Sequence, residues 1–226
     1  MSKLSKTAFI VQSRLNSERV PGKMIKPFAG SSLFEIALDK LTKSSVIPQN
    51  QLFAAINENE LVEIALNKKV NIFKRSLESA NNDYDIKKIF EWHDKLPYEY
   101  VVIISACNPL LKISTIDTFI KTFIEQEEDN LFGVVEKKQY YWNKEGVLVT
   151  PWPKGNTLMN TKAVETTYEA AHVLYASKMN LINSNRFMGD FEKPGGIKLF
   201  PMNELETFDI DYQWQFKVAE LLYKNV

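Results

Sequence analysis

Two short segments near the two ends of the chain carry side chains that could do chemistry. The first is a polar, cationic segment from Gln12 to Lys23, which follows an apolar stretch and contains Arg14 and Arg19. The chain has four arginines against 24 lysines, and two of the four lie here. A guanidinium fork binds two phosphate oxygens at once, so a loop of this kind after a buried strand is suited to a polyphosphate. The alternative is an ordinary basic surface loop.

The second segment runs from Thr207 to Asp211, and in it Asp209 and Asp211 alternate with apolar residues. Alternation along an extended chain places both carboxylates on one face, about 7 Å apart at their backbones. Carboxylates at that spacing suit a Mg²⁺ ion, and Mg²⁺ beside a cationic loop indicates phosphate chemistry. The alternative is that Asp211 only caps the last helix, since aspartate is a preferred N-cap residue.

The composition argues against several other classes of function. Basic and acidic residues number 28 each, and a net charge of zero does not favour a nucleic acid or an anionic membrane as partner. The first residues form no apolar signal segment, and no apolar run approaches the roughly 20 residues that cross a bilayer, so we expect a cytoplasmic location. Cys107 is the only cysteine, and His93 and His172 are the only histidines, which argues against a disulfide and a zinc centre. We interpret Cys107 as a core or pocket residue rather than a nucleophile.

Apolar, β-branched stretches alternate with helical patterns through the first 135 residues. Strands are predicted at 8–11, 52–56, 70–73, 100–104, 131–135, 173–176 and 197–200, and helices at 33–41, 61–65, 86–90, 116–123 and 216–223. This alternation predicts a three-layer α/β fold with a mostly parallel sheet and helices on both faces. We expect Ser32 to cap the first helix with Glu35 completing a capping box, and Ser114 or Thr115 to cap the helix that contains Ile116.

The regular alternation breaks between residues 138 and 170, where aromatic residues and prolines follow no clear period. A stretch this aromatic is unlike a disordered linker, and it indicates an arm that packs on another surface. We therefore expect a single domain over residues 1–226, with 138–170 as an inserted arm that contacts a partner subunit. The alternative is a long lid that folds back over its own domain.

The segment from Gln12 to Lys23 resembles the signature loop of the acylneuraminate cytidylyltransferase family, which activates sialic acid and related keto sugar acids as CMP conjugates. Four residues match the family's motif in type and spacing, namely Arg14, Ser17, Arg19 and Lys23, whereas Asn16 stands where the family usually has glycine. Three further segments resemble family motifs: Lys74 to Glu78, Ser105 to Leu111 and Glu206 to Asp211. Together these matches extend through most of the chain.

The resemblance implies a Rossmann-like nucleotide-diphospho-sugar transferase fold and a homodimer formed through the aromatic arm. It also implies an enzyme that transfers CMP from CTP to a nonulosonic, sialic-acid-like keto sugar acid, with Mg²⁺ as cofactor and pyrophosphate as the second product. The product would serve the biosynthesis of surface glycans such as lipopolysaccharide or capsule.

Roles for individual residues follow from the same resemblance. Catalysis is expected of Arg14, Arg19, Lys23 and Asp211, and Mg²⁺ binding of Asp209 and Asp211. Nucleotide binding is expected of Leu15, Asn16, Ser17, Arg75 and Asn108. Sugar binding is expected of Tyr168 and His172.

Two departures from the family's pattern leave the acceptor open. The stretch from Tyr168 to Tyr175 keeps the family's tyrosine spacing without its Glu-Asn-Gly, and Leu111 or Lys112 replaces a frequent arginine. One alternative is a nucleotidyltransferase for a different sugar or sugar acid, of the ketodeoxyoctonate or spore-coat polysaccharide type. The others are a glycosyltransferase with an Asp-x-Asp metal site and a non-catalytic sugar-nucleotide-binding homologue.

Overall fold

A computed structural model describes residues 2–225, and its seven strands form one sheet. The strands are β1 (Thr7–Gln12), β2 (Leu52–Ile56), β3 (Asn71–Lys74), β4 (Tyr100–Ile104), β5 (Asn130–Lys137), β6 (Thr167–Lys178) and β7 (Leu199–Pro201), in the order β3-β2-β1-β4-β6-β5-β7. Strand β6 is antiparallel to its neighbours β4 and β5, and the other four pairings are parallel. The predicted α/β fold with a mostly parallel sheet is confirmed.

Five of the six α-helices within residues 2–225 occur where the apolar periodicity predicts them, and the short helix at Leu77–Ala80 is additional. They are α1 (Leu33–Thr42), α2 (Asn59–Asn67), α3 (Leu77–Ala80), α4 (Ile86–Ile89), α5 (Ile113–Glu125) and α6 (Gln213–Tyr223). Ser32 caps α1 as expected, because its hydroxyl accepts the Glu35 N–H at 3.3 Å. The Glu35 carboxylate instead accepts a hydrogen bond from the Ser31 hydroxyl at 2.8 Å, so the capping box is only half formed.

Helix α5 begins one residue before the predicted caps. Its N-cap residue is Lys112, so the expectation that Ser114 or Thr115 would cap this helix is wrong. The Lys112 N–H donates to a carboxylate oxygen of Glu206 at 3.1 Å, and this contact fixes the chain just before the first turn. The start of α5 therefore depends on a hydrogen bond to a residue 94 positions away in the sequence.

The core is built on strand β1, whose residues 8–11 are fully buried. A strand of a parallel sheet packs apolar side chains on both faces, which is why its sequence reads as a continuous apolar run. On one face the large side chains include Phe34, Phe119 and Phe123 from α1 and α5. On the other face lies Trp92, also fully buried, whose indole N–H donates to the Gln12 side chain at 2.8 Å.

The order of the strands creates a crevice at the end of β1. The chain moves outward from β1 to β2 and β3, and then returns to the other side of β1 with β4. In open α/β sheets, ligands bind in the crevice at the carboxyl ends of the strands where the order reverses in this way. The loops that follow β1 and β4 therefore border the natural site.

A bulge interrupts the pairing of β6 with β5. Phe132 pairs with Tyr175 and Val134 with Ala170, so residues 171–174 lie opposite Gly133 alone. The bulge lets the two halves of β6 bend relative to each other. Its C-terminal side continues beside β4, where Leu174 pairs with Ile104.

The predicted arm is the connection between β5 and β6. Residues 167–170 pair with β5 as part of β6, so the irregular segment covers 138–166 rather than 138–170. Tyr140 packs against Trp152, with ring centroids 5.7 Å apart, and Trp142 forms a bridge with Leu148. Several large apolar side chains here are exposed, among them Trp142, Val149, Trp152, Leu158 and Met159.

Over the described part of the chain, every helix is too short or too polar to span a membrane.

Candidate active site

A cavity of about 530 Å³ lies at the carboxyl ends of β1 and β4. Six of the residues expected to act on the nucleotide line it together, namely Arg14, Asn16, Ser17, Arg19, Lys23 and Arg75. Cys107 lines it as well, as expected for a pocket residue, and burial raises the pKa of its thiol. The signature loop therefore forms a wall of this cavity.

The two chemistry-bearing ends of the sequence meet beside this cavity: Arg19 and Lys23 line it, whereas Asp209 and Asp211 lie outside its lining. Arg19 donates from Nη2 to Oδ1 of Asp211 at 2.7 Å, and its guanidinium lies 5.3 Å from the centre of the Tyr212 ring. Lys23 donates from Nζ to the Ile210 carbonyl at 2.7 Å, with the same Oδ1 of Asp211 at 3.8 Å. Two cations of the loop thus surround one carboxylate of the acidic segment.

Asp211 does not cap the last helix. The N-cap residue of α6 is Tyr212, and the Gln215 side chain accepts the N–H groups of Asp211 and Tyr212 at 2.8 and 2.7 Å. Because Gln215 serves the backbone at the helix start, the Asp211 carboxylate faces the loop cations. The alternative interpretation of Asp211 as only a cap is wrong.

Asp209 carries an oxygen without a protein partner. Its Oδ1 is buried and accepts no hydrogen bond from the described residues. Burial raises the pKa of this carboxyl, and the neighbouring Asp211 charge raises it further. A buried carboxylate oxygen without a partner is costly, and a cation at this position would remove the cost.

The donor set fits a hard cation shared with a substrate. Among residues 2–225 no three His, Cys, Asp or Glu side chains converge as a metal cage. Mg²⁺ commonly uses one or two carboxylates and completes its octahedron with water and substrate phosphates. Asp209 and Asp211 fit that pattern.

Arg14 forms hydrogen bonds with a loop that also lines the cavity. Its Nη1 donates to the Ala80 carbonyl at 3.1 Å and its Nη2 to Asp83 at 2.6 Å. The neighbouring Tyr84 also lines the cavity and is 99% exposed. A cation expected to bind phosphate is therefore neutralised by a carboxylate of a surface loop.

Arg75 is buried, with 3% of its surface exposed. Its side chain donates to the Ser79 hydroxyl at 3.0 Å and the Ser79 carbonyl at 2.5 Å. Burial, together with the nearby Arg14 charge, lowers the pKa of Arg75 to about 10. Because these bonds hold the guanidinium rigidly, Arg75 presents a fixed edge to the cavity.

The backbone of the signature loop is only partly available to a ligand. The Leu15 N–H donates to Oε1 of Glu58 at 2.7 Å, and the Ser17 N–H donates to the Leu15 carbonyl at 2.8 Å. Oε2 of Glu58 is buried and has no partner among the described residues. Leu15 and Ser17 thus have their amides engaged within the protein, and Asn16 presents an exposed side chain at the cavity.

Asn108 lies outside the cavity. It is 3% exposed and donates to the Thr207 carbonyl at 3.1 Å, beside a small void under α1. This bond joins the loop after β4 to the segment that carries Asp209 and Asp211. In this structure Asn108 therefore positions the acidic segment.

The two residues expected to contact the sugar do not share a cavity. Tyr168 lines a separate cavity of about 350 Å³ beside β5 and β7. His172 lies in the bulge of β6, where its Nδ1 is 3.1 Å from the Tyr175 hydroxyl. Tyr168 thus lies in the part of β6 that precedes the bulge, and His172 lies within the bulge.

Sequence reasoning missed Glu58, Asp83 and Tyr84. Glu58 follows strand β2 and could have been noticed as an acidic residue at the carboxyl edge of the sheet. Asp83 and Tyr84 lie in an irregular loop, where no local pattern marks them. Tyr175 keeps the tyrosine spacing of the family motif and could have been included with Tyr168.

Two curated relatives cover different shares of the chain. The post-translational flagellin modification protein B of Campylobacter coli is 26% identical over 140 residues, which are 60% of this chain and 57% of that protein. The chain therefore matches little more than half of this relative's length. The pseudaminic acid cytidylyltransferase of Campylobacter jejuni is 22% identical over 233 residues, which cover 97% of both proteins.

Solved structures share the fold at low sequence identity. A CMP:2-keto-3-deoxy-manno-octonic acid synthetase complexed with CTP superposes with a TM-score of 0.69 and 11% identity, over 98% of this chain and all of that one. A 4-diphosphocytidyl-2C-methyl-D-erythritol synthase from Anaerococcus prevotii gives 0.70 and 13%, over 98% of both chains. A cytidylyltransferase from Leptospira borgpetersenii gives 0.64 and 15%, over 98% of this chain and 87% of that one.

The family model for cytidylyltransferases matches residues 8–225. This match begins in β1, passes through the signature loop and ends after α6, so it includes both halves of the site. It covers almost the whole chain, and the chain therefore belongs to the cytidylyltransferase family.

Proposed function

We propose that this protein transfers CMP from CTP to a nonulosonic, sialic-acid-like keto sugar acid and releases pyrophosphate, for the biosynthesis of surface glycans. The observation that carries the proposal is the contact of Asp211 with Arg19 and Lys23, two cations that line one cavity. Cations for a triphosphate thus lie beside a carboxylate suited to a metal ion. This combination is what nucleotidyl transfer requires.

The reaction is a substitution at the α-phosphorus. A hydroxyl oxygen of the sugar acid forms a bond to this phosphorus, the bond to the bridging oxygen breaks with its electron pair going to pyrophosphate, and the hydroxyl proton passes to water. Substitution of this kind depends on alignment and on neutralisation of charge on the leaving oxygens. Arg14, Arg19 and Lys23 carry the positive charge for the β- and γ-phosphates.

Asp209 and Asp211 would hold Mg²⁺. When bound there, the ion would neutralise charge at the α-phosphate and lower the pKa of a coordinated hydroxyl. Arg19 and Lys23 contact Asp211 and would face the β- and γ-phosphates of a CTP bound in the cavity that they line. Asn16, Ser17 and Arg75 border the cavity where the base and ribose would lie.

The acceptor assignment is supported by the likeness to a pseudaminic acid cytidylyltransferase over 97% of both chains. A ketodeoxyoctonate-type acceptor is the second candidate, because the fold superposes on a CMP:2-keto-3-deoxy-manno-octonic acid synthetase over its whole length. Both acceptors carry a carboxylate and several hydroxyls. The two candidates share the donor chemistry and differ only in the sugar acid.

We further propose that the protein is a cytoplasmic homodimer in which the arm contacts the second subunit. The exposed apolar side chains of residues 138–166 support this proposal, because a surface patch of this kind marks an interaction site. The balanced charge supports the expectation that neither a nucleic acid nor a membrane is a partner. Mass measurement in solution would test the dimer.

The proposed function is tested by release of pyrophosphate from a matrix of four nucleoside triphosphates and several sugar acids. We expect release with CTP, Mg²⁺ and pseudaminic, legionaminic or sialic acid, and none without a sugar acid. Release only with ketodeoxyoctonate would establish the second candidate. Binding of CTP without release in any mixture would identify a non-catalytic homologue.

A further inference from the structure

Gln12 is the last residue of the central strand β1, and its half-buried side chain lines the nucleotide cavity. The proposed reaction gives it no part, because the loop cations face the phosphates and the acidic segment suits a metal ion. Its position is nevertheless the point at which the strand order reverses, where ligands bind in open α/β sheets. The amide of Gln12 is therefore placed to contact a bound nucleotide.

This amide is held in one orientation. The indole N–H of Trp92, a fully buried residue, donates to Oε1 of Gln12 at 2.8 Å. An indole N–H can only donate, so the amide oxygen and not the NH₂ group must face it. Turning the amide over would leave a buried donor without an acceptor, which costs free energy. Trp92 thus fixes which atom of the Gln12 amide is the donor towards other partners.

The NH₂ group of Gln12 is open to a ligand. Within residues 2–225 its Nε2 has no hydrogen-bond acceptor, and the atom is not buried. Because Gln12 lines the cavity, these N–H bonds can reach an acceptor on a molecule that fills it. The side chain therefore offers the cavity a donor whose orientation is set in advance.

The wall beside Gln12 suits an uncharged, planar group. Trp92 packs against Phe90 with ring centroids 5.2 Å apart, and the neighbouring Ile89 lines the cavity. The charge on this wall belongs to Arg75, whose guanidinium donates to the Ile89 carbonyl at 3.4 Å and is already engaged by the protein. The phosphates of a nucleotide would lie with the loop cations next to the acidic segment, and the base would lie at this wall.

We propose that Gln12 is a specificity-determining residue, which donates a hydrogen bond from Nε2 to N3 of the cytosine base and so selects CTP over UTP. N3 carries a lone pair in cytosine and a proton in uracil, so a fixed donor is satisfied by the first base and opposed by the second. Trp92 is the positioning residue, because it prevents the amide from turning over to match uracil. The inference rests on the proposed function and adds the means by which the base is recognised.

Gln12→Glu removes the donor and keeps an acceptor for the Trp92 N–H. Its added charge affects both triphosphates alike, so the measure is the ratio of the Kd for UTP to the Kd for CTP. We expect this ratio to fall roughly 5- to 50-fold, which is the effect of one lost hydrogen bond to a desolvated acceptor. Calorimetric titration without a sugar acid gives both constants. Gln139→Glu is the matched control, since Gln139 is an exposed residue outside the cavity lining, and its ratio should equal that of the wild type.

An analogue of CTP tests the same contact from the side of the ligand. In 3-deaza-CTP a C–H group replaces N3, so the base cannot accept this hydrogen bond. We expect the analogue to bind the wild type roughly 5- to 50-fold more weakly than CTP, and to bind Gln12→Met about as well as CTP does. Methionine is uncharged and similar in length to glutamine, and thermal unfolding shows that the variant is folded.

Trp92→Phe tests the positioning role, because without the indole N–H the Gln12 amide can turn over, and the ratio of the two Kd values should fall. An unchanged ratio in Gln12→Glu would overturn the inference, as would equal weakening by the analogue in the wild type and Gln12→Met. Either result can occur in a protein that releases pyrophosphate from CTP, so the proposed function would stand. Absence of pyrophosphate release by the wild type would overturn the proposed function instead, whatever the ratio of the binding constants.

Discussion

Arg19 and Asp211 are 192 residues apart in the sequence and form an ion pair with 2.7 Å between Nη2 and Oδ1. The two side chains are 53% and 30% exposed, so water screens the pair. Exposed pairs of this kind contribute little to stability. Such a small contribution means that a triphosphate and a divalent cation can separate the two groups easily. The ion pair therefore holds Arg19 beside Asp211 without locking the two groups together.

Replacement of Asp211 tests the metal assignment. We expect Asp211→Asn to lower kcat about a hundredfold or more at saturating Mg²⁺ while the protein remains folded, because a neutral amide binds a hard cation poorly. Steady-state release of pyrophosphate and circular dichroism are the measurements. Glu18→Gln is the matched control, since Glu18 is an exposed carboxylate that lines the same cavity. Unchanged turnover in Asp211→Asn would rule out its role as a metal ligand.

Replacement of Lys23 tests the contact with the leaving group. The Lys23 side chain is only 12% exposed and its amine already points to the acidic segment. We expect Lys23→Ala to weaken CTP binding roughly tenfold to hundredfold and CMP binding less than about threefold, because only CTP carries β- and γ-phosphates. Calorimetric titration of both nucleotides gives the two constants. Lys26→Ala is the control, because Lys26 bonds to Gln213 and lies outside the cavity lining. Equal losses for the two nucleotides would contradict the assignment.

Replacement of Asp83 tests whether this carboxylate competes with phosphate for Arg14. The pair is partly exposed, at 34% and 55%, so its removal should tighten CTP binding by roughly 1.5- to 5-fold. The affinity of Asp83→Ala for CTP at low and high salt is the measurement. Asp94→Ala is the control, as another exposed carboxylate on the surface. Weaker binding in Asp83→Ala would show instead that the pair orients Arg14 for the nucleotide.

The elements of the fold could be predicted because their signals are local. The period-2 and helical patterns depend on neighbours within one turn or one strand, and the buried run of β1 is visible in residues 8–11 alone. The start of α5 could not be predicted, because the acceptor for the Lys112 N–H is Glu206, 94 residues away. Contacts over such separations leave no mark in a local pattern.

The sequence allowed the charged residues of the candidate site to be predicted, but not which of them contact one another. Charge and spacing marked Arg19, Lys23 and Asp211, whereas the ion pair between Arg14 and Asp83 joins two loops that are unrelated in sequence. The separation of Tyr168 from His172 depends on the bulge in β6. A bulge shifts the register between two strands, and neither strand's sequence alone shows where the partner's register changes.

Lys40 provides a test of burial away from the active site. Its amine donates to the Pro109 carbonyl in the loop after β4, and burial lowers its pKa from 10.5 to about 8. Between about pH 8 and 10.5 the unfolded chain therefore holds a proton on this amine that the folded protein has lost. The free energy of unfolding contributed by Lys40 rises with pH over this window, by up to about 3 kcal/mol.

The Lys40→Met variant should lose this dependence. It cannot be protonated, so the stability of the wild type relative to Lys40→Met should increase between pH 7.5 and pH 10, measured by urea unfolding at each pH. Lys43→Met is the control, because Lys43 is an exposed lysine at the end of the same helix, and its curve should stay parallel to that of the wild type. Parallel curves for Lys40→Met would show that the Lys40 amine remains charged at neutral pH without an energetic cost. In that case the bond to Pro109, rather than deprotonation, would compensate for its burial.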